Sequence, residues 1–160
     1  MMFRQVADIQ TADMLNLPVP KAVYHNIAVK STDIQKELVA SLSERAEKVR
    51  KKMVDSSVDN MLLITNDGRK LALDQRLTNE MLPDDPNSKV SACVNNVYEI
   101  WEKTSEQRST QLIFCDLSTP HNDGRFNVYD DIRKKLISKG VPENEIAFIH
   151  DADSEAKKKE

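Results

Sequence analysis

The run Leu112-Ile113-Phe114-Cys115 constrains this chain most, because it is uninterrupted, apolar, and stops abruptly at Asp116 before Ser118-Thr119-Pro120. Apolar residues without alternation suit a strand covered on both faces, and in open α/β sheets the loop beyond such a strand is where ligands sit. A second run, Ile146-Ala147-Phe148-Ile149, follows a helical pattern that opens at Asn127 and ends at Gly140. Strand, helix, glycine and strand make a βαβ unit, which by handedness forms a right-handed crossover.

Upstream, Val23, His25, Ile27 and Val29 alternate with polar positions, the period of a half-buried strand, with His25 on the packing side. Thr32 with Gln35 has the form of a capping box, and Ile34, Leu38, Leu42, Ala46, Val49 and Met53 then make one apolar helical stripe. The basic stretch at the end of this helix can touch phosphate or simply offset the helix dipole. Asn66-Asp67-Gly68 interrupts MLLITNDGRKLALD, and its leucines favour helix, turn, helix over a hairpin. Asn87 or Ser88 caps a further helix with Val90, Val94, Val97, Tyr98 and Trp101 on one side, ending near Lys103. The final stretch reads as a helix started at Asp153 or Ser154 and left incomplete, as in a truncated chain.

The chemistry is notable for what is lacking. There is no phosphate loop, dinucleotide fingerprint, nucleophile elbow or paired-histidine zinc motif, and the chain has only three glycines. The formal net charge of −3 argues against a uniformly basic nucleic-acid binder. Cys93 and Cys115 have no metal-ligand spacing and read as core thiols. Cys115 and Asp116 with His121 and Asp123, and His150 and Asp151 with Asp153, are candidates for divalent-metal or acid/base work. Turn and cap roles outweigh that reading, since neither set has a defined ligand spacing. Ser118 and Thr119 offer hydroxyls that can hold a phosphate of a nucleic-acid strand. No apolar run reaches the roughly 20 residues of a membrane span, and the start lacks an export leader, so a cytoplasmic protein is expected.

Taken together, Leu17-Pro-Val-Pro-Lys21, Asn87-Ser88-Lys89, Gln111-Leu-Ile-Phe-Cys115, Tyr129-Asp-Asp-Ile-Arg133 and Ile149-His150-Asp151 resemble the start of the second motor lobe of Swi/Snf-like superfamily 2 helicases. More narrowly, they resemble the helicase part of helicase and DNA-methylase fusion proteins of phages and conjugative elements. The resemblance implies an α/β fold, a partial RecA-like parallel sheet with flanking helices, incomplete at its C-terminus and preceded by a helical segment. It divides the chain into an N-terminal arm, 1–20, and a lobe portion, 21–160, with a helical insertion at about 31–82 and an α/β part at about 87–160. It implies DNA contacts through Asp116, Ser118, Thr119 and Lys89, a first helicase lobe as partner, and no membrane. ATP and Mg would belong to the full-length parent, because the phosphate loop, the acidic box and the later arginine motif are not in this chain, which alone would be inactive. A stand-alone α/β protein-interaction module, and a metal-dependent hydrolase using Asp116, His121, His150 and Asp151, are the alternatives.

Overall fold

The computed structural model describes residues 10–15, 18, 20–120 and 123–152. Most of the N-terminal arm, His121, and the helix expected from Asp153 or Ser154 lie outside them. The described residues form a single helical turn α1 (Ala12–Leu15) and four longer helices: α2 (Asp33–Arg50), α3 (Met61–Leu73), α4 (Lys89–Lys103) and α5 (Val128–Ser138). Short 3-10 turns complete the order.

No strand or sheet forms among the described residues, which overturns the RecA-like parallel sheet. The three expected strands find no partner. Residues 20–31 make no backbone ladder, and Val23 and Ile27 are 72% and 59% exposed, with His25 also in the open rather than packed. Leu112 and Phe114 are 77% and 89% exposed, so this run is not the covered strand its sequence suggests. Ile149 has turned into a 3-10 turn, Ile149–Asp151. An apolar run specifies extended backbone locally, but a sheet needs a partner strand to receive its N–H and C=O groups. Here the apolar helix faces close on one another instead.

Two helix pairs carry the packing, α2 with α3 and α4 with α5. Thr32 and Gln35 form the capping box of α2, each accepting from the other's backbone N–H at 3.0 Å. Ile34, Leu38, Leu42, Ala46 and Val49 are half-buried on its inner face, whereas Met53 lies past the helix end and is exposed. Between the pair, Arg45 bridges Asp59 at 2.7 Å and Asp67 at 2.8 Å. These bonds hold the Arg45 guanidinium above its ordinary pKa and the Asp59 carboxyl below its own.

Asp67 sits mid-helix, because α3 runs unbroken through Asn66-Asp67-Gly68 where a turn was expected. Gly68 packs there on α2, and a Cβ added to it would meet Leu42 Cδ1 at an ordinary 3.8 Å. Gly68→Ala should therefore stabilise the fold by about 1 kcal/mol, from helix propensity alone. Gly140 is the opposite case, at φ +105 just past α5. The N–H groups of Gly140 and Val141 close on the carbonyls of Ile137 and Leu136 at 2.9 and 3.1 Å, the bond pattern of a left-handed helix stop. Gly140→Ala should lose about 1 to 2 kcal/mol through backbone strain. Urea melts of the two variants should thus move in opposite directions.

The core lies between α4 and α5: Val90, Val94, Val128, Ile132, Leu136 and Val141 are buried together. Val97, Tyr98 and Trp101 pack around them as the helical pattern of α4 predicts, as does Cys115, while Ile137 is 39% exposed.

Candidate functional site

The loop Asp116–Pro120 is built from both ends. On the strand side, Gln111 donates to the Val97 carbonyl at 3.0 Å and Cys115 packs on the core, while Leu112 and Phe114 point away. Extended backbone alternates its side chains, so one face holds α4 and the other is open. Arg69 of α3 then takes Asp116 at 2.6 Å, and the Tyr129 hydroxyl donates to the Cys115 carbonyl at 2.6 Å. Ser118, in the left-handed region at φ 62, accepts the Val128 N–H at 3.0 Å. It thereby supplements the N-cap Asn127, whose side chain accepts from Asp130 N–H at 2.8 Å. The loop is thus fixed against the positive end of the α5 dipole. Beside it, Asp123, Gly124, Arg125, Phe126, Asp130 and Lys134 help to line a hollow of about 230 Å³.

Three of the four expected DNA-contact residues are therefore together: Asp116 exposed, Ser118 and Thr119 half-buried. Lys89 is elsewhere, exposed in the first turn of α4, and no ion pair or hydrogen bond joins its side chain to the loop. Ser118 spends its lone pair on α5, and Asp116 already has a cation.

Of the other expected constellation, the described members Cys115, Asp116, Asp123, His150 and Asp151 form no group of three within metal-sharing distance. The Tyr129 ring meets Phe148 and His150 edge-on at 5.5 and 5.4 Å, and Arg133 lies 3.9 Å above Phe148. Asp151 is 3.6 Å from the Arg133 guanidinium. His150 and Asp151 thus lie along α5 while staying exposed, and the Arg133 side chain is half-buried between them and the helix. Burial pushes the Tyr129 pKa up. Burial, then the neighbouring Cys115, does the same to the Cys93 thiol, as befits inert core sulfur. His121 and Asp153 lie outside the described residues. Among those described, the carboxylates close enough to share an ion are instead Asp74, Asp84 and Asp131, with oxygens within 4.8 Å of one another.

That triad was not legible in the sequence, and a cationic side chain already fills it. Arg76 Nη2 lies 2.8 Å from Asp74, 2.9 Å from Asp84 and 2.8 Å from Asp131. Lys135 adds contacts of 2.9 Å to Asp84 and Asp131, and the Arg76 guanidinium lies 4.2 Å from the Phe126 ring centre. Asp74 is 2% exposed and also caps the turn Gln75–Leu77 by accepting from Arg76 N–H. For Asp131, burial opposes the charge, but the hydrogen bonds from Arg76 and Lys135 win and hold its carboxyl below the usual range. Arg76 balances the same forces: burial lowers its pKa, and Asp74 and Asp131 outweigh that. The arrangement is a strut between the end of α3 and α5. The spacing of Asp131 and Lys135, four apart on one helix, and the Asp74-x-Arg76 turn were the available signals.

No helix among the described residues is long and apolar enough to cross a membrane. Comparison of the chain with protein-family models, curated proteins and solved structures finds no match.

Proposed function

We propose that the chain contributes DNA-strand contacts and scaffold to an ATP-driven helicase or translocase, and does not itself hydrolyse ATP. The reading rests on the helicase-like runs in the sequence, not on a sheet. The observation that supports it is the loop Asp116–Pro120, held at both ends by Arg69, Tyr129 and Val128 and set at a helix N-terminus. Preorganised hydroxyls and amides at such a place suit a phosphate of a single strand. ATP, Mg and a first motor lobe would belong to the parent protein, acting in the cytoplasm. A protein-docking module is the second reading, favoured by the open apolar faces of Leu112 and Phe114.

Fluorescence anisotropy with a labelled homothymidine strand at low salt tests the first reading. Ser118→Ala with Thr119→Ala should weaken binding by roughly five- to tenfold, the worth of one or two hydrogen bonds. A thermal melt alongside accounts for the lost cap on α5, worth about 1 kcal/mol. Unchanged affinity in this double variant, or ATP turnover by the chain alone, would refute the reading.

A further inference from the structure

We propose that the C-terminal tip of α2 is a second, separate contact for a single nucleic-acid strand, with Lys48, Lys51 and Lys52 taking successive phosphates. These residues are exposed, as is Arg50, which alone of the four is held by a carboxylate, Glu47 at 3.0 Å. Among the described residues the three lysines have no acidic partner. They fall within five residues of one another, Lys48 in the last turn of α2, Lys51 at its C-cap and Lys52 just beyond. Long, flexible ammonium stems suit a phosphodiester strand whose path varies, and phosphate neutralisation needs such clustered cations even on a chain whose net charge is −3.

Lys52 supplies the stronger argument. Its φ is 54, the left-handed region, while its N–H and that of Met53 close on the carbonyls of Val49 and Lys48 at 3.0 and 2.9 Å. This is the same helix stop that α5 makes, and there the left-handed position is Gly140. A side chain at that position strains the backbone, and a cation kept there against the strain points to use. Offsetting the helix dipole accounts for Lys48 and Arg50 in the last turn, but Lys52 lies beyond the helix.

The tip shares its ligand class with the loop Asp116–Pro120 but none of its residues, so the two can fail separately. The test uses the whole chain, a labelled homothymidine strand and a labelled polyglutamate peptide. Lys52→Gly removes the cation and relieves the strain, so its loss of binding cannot come from misfolding. With Lys48→Ala and Lys51→Ala added, DNA affinity should fall by about tenfold or more at low salt. Three phosphate contacts also predict that wild-type affinity falls roughly 20-fold between about 50 and about 200 mM salt, a dependence the triple variant loses. Unchanged affinity and salt slope in the triple variant overturn the inference, and if the Ser118/Thr119 variant then weakens binding, the loop reading survives alone. No DNA binding by the wild type, or tighter binding of the acidic peptide than of DNA, also overturns it, the latter making the tip a protein-docking surface.

Discussion

Arg76→Met is expected to destabilise the fold by about 3 to 5 kcal/mol, the cost of leaving buried carboxylates without their cation. The size follows from what remains: Asp74 is 2% exposed, and its Oδ1 and Oδ2 accept from Arg76 Nε and Nη2 at 2.9 and 2.8 Å. Lys135 still serves Asp84 and Asp131 but does not reach Asp74. Adding Asp131→Asn should recover part of the loss, giving a coupling on the order of 1 kcal/mol or more in a double-mutant cycle. Arg76→Lys should recover less, since an ammonium cannot span Asp74 and Asp131 with a planar fork.

Acid narrows the difference. In the wild type the hydrogen bonds from Arg76 and Lys135 hold the Asp131 carboxyl below the ordinary carboxylate value, so its contribution is present above that value and is lost as pH falls through the folded pKa. In Arg76→Met the Asp131 carboxyl loses one of the two cations that hold it low, so less stability is left for acid to remove. The deficit of the variant should therefore hold at neutral pH and narrow as pH falls below about 4, and urea melts followed by Trp101 fluorescence would show it. A deficit that stays constant over this range would mean that Arg76 acts by packing on Phe126 alone.

Leu136→Ala should cost about 3 kcal/mol, through lost burial and the cavity left behind. Leu136 is 4% exposed and sits among Val90, Val94, Val128, Ile132 and Val141, a core with no aromatic residue at its centre to move into the gap. Because domains of this kind have only about 5 to 15 kcal/mol in hand, either substitution uses much of the total. A midpoint shift under about 1 kcal/mol for Leu136→Ala would show that Tyr98, Trp101 or Phe126 collapses inward from the rim.

Helices were readable from the sequence because their signals are local. The Thr32–Gln35 box, the Ser88 and Asn127 caps, the Gly140 stop and the inward stripes of α2 and α4 all depend on residues within a few turns. The extended runs were half readable. Val23–Val29 and Leu112–Cys115 stay out of the helices as their side chains suggest, but pairing is a long-range property that no short window contains. Asn66-Asp67-Gly68 misled for a tertiary reason: Arg45 holds Asp67 and Leu42 covers Gly68, so the helix continues through residues that favour turns. Of the site, the loop was foreseeable from its strand-to-polar switch. The Arg76 strut was not, since Asp74, Asp84 and Asp131 come together only once α3 and α5 are placed.

One consequence follows from α2 having no buried residue along its 18-residue length. It adheres by a half-buried stripe, by Arg45, and by hydrogen bonds from Gln35 to the Leu71 carbonyl at 3.2 Å and from Thr32 to Gln75 at 3.2 Å. Lifting it away is therefore expected to cost less than unfolding α4 and α5, and amide hydrogen exchange should be faster in α2 than in those two helices. The lysine tip travels with the part that opens, so a strand bound there could be carried through an excursion that leaves the core intact.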